Sequence, residues 1–208
     1  MKRQLRNPWV WAFLVGCATV TLMRPLLRRE PPPPPVIGRV PEFSLVAANG
    51  ASFGSADLRG HVYVASFFFT RCTSVCPTLM SQLARLDRKY REEGFDSMRI
   101  VSVSIDPEHD TPAMLRDAEK RYGADGRHWV LLTGTHDEVR ALAVDGFRLA
   151  VGEAAATFDG ATDIAHSAKL VLVDGEGNVR GYYESTDIGL EETYWRSRHV
   201  MKEAAAKS

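Results

Sequence analysis

Cysteine is scarce in this chain. Its 208 residues hold only Cys17, Cys72 and Cys76. That excludes a disulfide scaffold, which takes many more cysteines in a short chain. Surplus charge is absent as well, because 26 basic side chains balance 26 acidic ones. The basic footprint of a nucleic-acid binder is therefore missing, and no nucleic-acid partner is expected. No internal repeat is visible. Long apolar runs are lacking too: the uncharged, mostly apolar stretch from Trp9 to Met23 is 15 residues. As a helix it would span roughly 22 Å at ~1.5 Å per residue, short of a bilayer core of ~30 Å. What remains is an ordinary globular composition, 45% hydrophobic and 25% charged. The length suits one domain with an appendage, and a domain of ~150 residues buries a core without staples.

The appendage comes first. Lys2, Arg3 and Arg6 precede the uncharged stretch, and Arg24, Arg28 and Arg29 follow it. Residues 1–28 are expected to act as a signal anchor, either transmembrane or of the lipoprotein type. Snorkelling of Arg24 would lengthen the span, and Trp9 and Trp11 suit an interface belt. Leu14-Val15-Gly16-Cys17 looks like a lipobox, although the apolar run continues beyond Cys17. A conventional cleaved signal is the third reading. All three place the main domain outside the cytoplasm, facing the periplasm or extracytoplasmic space beside a membrane. Residues 29–39 read as a proline-rich linker. Pro31 to Pro35 favour a polyproline spacer of roughly 16 Å.

Residues 40–204 read as alternating strands and helices. Phe43 to Ala47 and the Asn49-Gly50 turn suggest a leading hairpin. Val62 to Phe69 is a nearly unbroken apolar run, as in a central strand buried on both faces. Pro77 suits a first helical turn. Leu79, Leu83, Leu86 and Tyr90 then recur at helical spacing, with Gly94 as the stop. Further strands are expected at 99–105, 129–133, 169–173 and 179–183. Further helices are expected at 111–122, 136–144 and 190–202. The Asp174-Gly175-Glu176-Gly177-Asn178 loop closes a hairpin. This order is an α/β, thioredoxin-like plan.

Cys72 and Cys76 fall where the apolar strand gives way to a helix start. Unpaired N–H groups and the positive end of the helix dipole favour an anion there, so a thiol should be acidified. A structural disulfide, a redox couple and a metal clamp all remain open. Three residues separate the cysteines, where thioredoxin-type redox pairs have two. Two thiolates are soft ligands that favour Cu(I), whereas zinc would want more protein ligands. A third donor would come from His61, His109, His128, His136, His166 or His199. His166 has one local advantage, a loop leading into a strand near Ala168. His199 and Met201, on a terminal helix, read as packing and surface.

Several blocks in order resemble the Sco/SenC family of membrane-anchored, thioredoxin-like copper proteins. They are FTRCTSVCP at 69–77, SIDPEHDTP at 104–112, and His166-Ser167 before an apolar strand. PEFSLVAANG at 41–50 and LRGHVYVASF at 58–67 are also similar to that family. The resemblance implies copper binding by Cys72, Cys76 and His166. It implies a copper chaperone for the dinuclear copper site of cytochrome c oxidase, with the copper-bearing subunit as partner. The alternative it leaves is a thiol-disulfide oxidoreductase that keeps that site's cysteines reduced. A copper or redox sensor and a peroxidase of the same fold are weaker options. Asp106 is expected near the metal loop, orienting or screening it, and Glu108 to Pro112 only as a turn and cap. Some family members carry an acid just before the histidine. Here Ala165 stands there and the nearest acid is Asp163, so the acid that would orient the ligand ring from the adjacent position is missing.

Overall fold

The computed structural model describes residues 8–27, 32–149, 154–156, 162–164 and 168–207. The chain divides into two compact units, Met1–Pro32 and Pro33–Ser208.

The first unit contains helix α1, Pro8–Leu27. Trp9, Trp11, Phe13 and Val20 are exposed along it. Among the described residues, no helix is long and apolar enough to cross a membrane. The transmembrane form of the expected anchor is therefore not supported. Gly16, Thr19, Thr21, Arg24 and Pro25 dilute the apolar run. The Thr19 and Thr21 hydroxyls donate back to the Val15 and Cys17 carbonyls, each at 2.8 Å.

The second unit is built on an eight-stranded sheet. Strand β4, Tyr63–Phe68, runs through its middle and is buried at every residue. It pairs in parallel with β5, Arg99–Ser104, which pairs in parallel with β6, Trp129–Thr133. On the other side β4 meets β9, Lys169–Val173, antiparallel, and β9 forms a hairpin with β10, Asn178–Glu184. A strand this central has no solvent face, which is why its sequence shows no alternation. The leading hairpin, β2 (Ser44–Ala47) and β3 (Ser52–Gly54), extends the β6 edge. The opposite edge carries β1, Gly38–Arg39, from the stretch read as linker. The linker is also held at Pro34, whose carbonyl accepts from Arg180 Nε at 2.8 Å.

The helices follow from spacing and caps. Helix α2, Cys76–Glu92, buries Leu79, Leu83, Leu86 and Tyr90. Helix α3, Pro112–Tyr122, opens on Thr111, whose hydroxyl accepts from Met114 N, and stops at left-handed Gly123. Helix α4, His136–Ala141, opens on a Thr135/Glu138 capping box and runs into a π-turn at Leu142–Gly146. A separate pair of short strands follows, β7 (Ala154–Ala156) and β8 (Thr162–Ile164). The last helix, α5, is Asp187–Lys207. It lies alongside α2 through Arg85–Asp187 and Lys89–Glu191 ion pairs and a buried Tyr90–Ser197 hydrogen bond. One polar ladder crosses the core: Trp129 Nε1 donates to Ser102 Oγ, which pairs with Ser66 Oγ at 2.9 Å. This arrangement is the mixed α/β, thioredoxin-like architecture that the sequence order implied.

Candidate metal centre

The sheet delivers the C-terminal end of β4 to the start of α2, and the two cysteines sit in that junction. Residues 69–75 make the turn, with Cys72 N donating to Phe69 O at 3.3 Å. Cys76 is the first residue of α2, and Val75 before it offers no side-chain cap. The Cys72 sulfur takes the capping place instead: Cys76 N–H points at Cys72 Sγ, 3.3 Å away. Both side chains are in the thiol form, Cys72 8% and Cys76 3% exposed. Together with Phe68, Thr70, Met80 and Tyr122 they line a small cavity.

The two sulfurs differ in acidity. Burial pushes the Cys72 thiol up, but hydrogen bonds from Cys76 and Ser74 outweigh it and hold the thiol below its ordinary value. Burial pushes the Cys76 thiol far up, and the neighbouring Cys72 and Asp110 add to the rise. The pair therefore carries one readily formed thiolate and one reluctant one.

A second loop, at the C-terminal end of β5, clasps the turn. Arg71 Nε and Nη2 both reach Asp106 Oδ2, at 3.0 and 2.7 Å. His109 Nδ1 lies 2.9 Å from Asp106 Oδ1 and 3.0 Å from Arg71 Nη2. One tautomer donates to the carboxylate and the other accepts from the guanidinium. Asp110 is wholly buried. It accepts from Thr70 N at 2.9 Å, from Thr70 Oγ1 and from Ser104 Oγ. Reading 108–112 as a turn and cap missed Asp110. Its signal was faint: an acid directly before the cap residue, where a solvated side chain is the usual reading.

His166, Ala165 and Ser167 fall outside the described residues. Asp163 lies within β8. The other histidines have different company. His61 Nδ1 faces Ser97 O, His128 pairs with Asp125, and His136 lies near Asp137. Met201 packs against the core and receives Ser97 Oγ at its sulfur. Among the described residues no group of three or more His, Cys, Asp or Glu is arranged to hold a metal ion. The donors present, two sulfurs at one helix start, suit a soft cation with a third ligand from elsewhere in the chain.

Comparison with known proteins agrees with the sequence blocks. The family described as SCO1/SenC matches residues 35–201. A protein of Stutzerimonas stutzeri, whose provisional name is copper-binding protein, is 30% identical over 143 residues, 69% of this chain and 68% of its own. The crystal structure of a SCO1/SenC family lipoprotein from Bacillus anthracis aligns with TM-score 0.70 at 28% identity. It covers 78% of this chain and 95% of that one. BsSco, described as a member of the Sco family of cytochrome c oxidase assembly proteins with a disulfide switch, aligns with TM-score 0.67 at 25% identity. It covers 80% of this chain and 98% of that one. With a family match over most of its length and the cysteine pair at the expected strand–helix junction, the chain belongs to the SCO1/SenC family.

Proposed function

We propose that this protein is a copper carrier for assembly of the dinuclear copper site of cytochrome c oxidase, with Cys72, Cys76 and His166 as its ligands. The observation that carries the reading is the helix-start pair. Cys76 begins α2, and its N–H is directed onto the Cys72 sulfur at 3.3 Å. Negative charge on that sulfur is favoured by the N–H groups and dipole of the helix. Soft thiolates hold Cu(I) strongly, and a ligand set shared between a helix start and a distant segment can open for release. The oxidase reading leans on relatives named for copper binding and for cytochrome c oxidase assembly. The copper-bearing subunit of that oxidase is the partner.

In the same reading, residues 1–28 hold the domain at a membrane surface outside the cytoplasm. The exposed apolar side chains of α1 and the lipoprotein relative favour this, and Cys17 in Leu14-Val15-Gly16-Cys17 is a candidate for lipid attachment.

The test is a Cu(I) titration of reduced protein against a competing chelator. One copper per chain is expected. Cys72→Ser and Cys76→Ser should abolish high-affinity binding, and His166→Ala should weaken it. Copper uptake that survives both cysteine substitutions would end the reading.

The acidity difference between the two thiols favours a second reading, a thiol-disulfide oxidoreductase. The Cys72 thiolate would attack a disulfide, releasing one thiolate and forming a mixed disulfide. Cys76 would then resolve it and free the second thiol, leaving Cys72–Cys76 oxidised. Trapping a mixed disulfide of the Cys76→Ser variant with an oxidised oxidase-derived peptide, without metal, would establish this role.

A further inference from the structure

The clasp on the cysteine turn is more elaborate than a turn needs. Thr70 stands two residues before Cys72, and it is fixed from both its backbone and its side chain by one carboxylate. That carboxylate, Asp110, is wholly buried, comes from 40 residues away, and spends its remaining contact on Ser104 at the end of β5. Arg71, the next residue, is drawn to Asp106 on the same loop. A buried carboxylate is costly unless every oxygen is satisfied, and here both oxygens are used, mainly on the cysteine turn. Helix α2 fixes Cys76, whose N–H reaches back to the Cys72 sulfur at 3.3 Å. That contact needs the backbone carrying Cys72 to leave Thr70 in the right direction.

We propose that Asp110 is the positioning residue of the cysteine pair: through Thr70 it holds the turn so that the Cys72 sulfur stays over the start of α2. Preorganisation of this kind raises the affinity of any partner that must meet both sulfurs at once, since the ordering is already complete before binding. The part that concerns copper rests on the copper-carrier reading. The positioning itself applies equally to closure of a Cys72–Cys76 disulfide, which also needs both sulfurs together.

Two measurements on the full chain separate these. The first is Cu(I) affinity by chelator competition. The second uses metal-free protein in a glutathione buffer, where two protein thiols are oxidised to one disulfide while glutathione disulfide is reduced to two glutathione thiols. Asp110→Asn replaces an acceptor by a donor and should lower both the Cu(I) affinity and the disulfide equilibrium constant by about tenfold, the loss of one charge-assisted hydrogen bond. Thr70→Val, which keeps the backbone contact, should lower both by a smaller factor, and Thr70→Ser should restore them. Ser104→Ala removes a contact of Asp110 that does not touch the turn, and should change either constant by no more than about twofold. If Asp110→Asn does not fold, the Thr70 pair decides. Constants unchanged in Asp110→Asn and Thr70→Val, or shifted as much by Ser104→Ala, would overturn the proposal. Parent protein that takes up no Cu(I) would defeat the copper reading, and the glutathione equilibrium alone would then judge Asp110.

Discussion

Four residues apart in sequence, Cys72 and Cys76 are chemically unequal. Cys72 receives an amide N–H and lies within 3.6 Å of the Ser74 hydroxyl. Cys76 is turned into the core beside a buried carboxylate. In reduced, metal-free protein Cys72 should react first with iodoacetamide. Its rate should rise through a midpoint below that of an ordinary thiol at about 8.5, while Cys76 stays protected. At pH 7 the ratio should exceed about tenfold, since each unit of separation in acidity is a factor of ten in thiolate. Peptide mapping of partly alkylated protein reads this directly, and equal labelling would contradict it. The acidifying helix start was legible in CTSVCP. The inequality was not, because it depends on which sulfur is covered and on Asp110, brought in by a contact 40 residues long. The proposal of His166 rests on the loop before the strand near Ala168 and on the family blocks, since a single histidine carries no spacing signal of its own.

Elements whose pattern was continuous were read correctly: the apolar run of β4, the leucine spacing of α2 and the Thr-Pro start of α3. The short ones escaped. Two residues of β1 and three each of β7 and β8 are too few to show alternation. The π-turn after α4 has the same apolar spacing as the helix it ends. The loop between α3 and β6 depends on Asp125. Its carboxylate accepts from the backbone N–H of Arg127, His128 and Trp129 and from His128 Nδ1. Burial opposes the charge, but these hydrogen bonds hold the carboxyl well below the usual range. A depressed carboxylate contributes stability that is complete above its unfolded value near ~3.9 and is lost as pH falls below it. Asp125→Asn should therefore cost about 1–3 kcal/mol at neutral pH. Its deficit should shrink between about pH 4 and pH 2, as parent protein loses the same contribution. Urea unfolding at a series of pH values measures both, and a deficit that does not change with pH would contradict the assignment.

At the scale of the whole domain, Arg180 is the hub. It is 6% exposed and joins three distant pieces: the Pro34 carbonyl, Asp174 in the hairpin loop and Glu203 on α5. Removing one member of a buried ion cluster leaves the others uncompensated, at about 3–5 kcal/mol. Arg180→Met should lower stability by that amount while leaving the cysteine pair chemically intact, as alkylation rates would show. The α/β plan was foreseeable from the alternation of strands and helices, but the order of strands in the sheet was not. The docking of Pro34 was not, because a proline run reads as a spacer and its anchor lies at the far end of the chain.

The central claim is that both sulfurs and the ring of His166 meet on one copper ion. X-ray absorption of the Cu(I)-loaded protein tests it most directly. The account predicts a shell of two sulfurs and one imidazole nitrogen, with the imidazole signal lost in His166→Ala and the sulfur shell lost in the double Cys72→Ser, Cys76→Ser variant. A sulfur shell that persists in that double variant, or an imidazole that remains without His166, would contradict it.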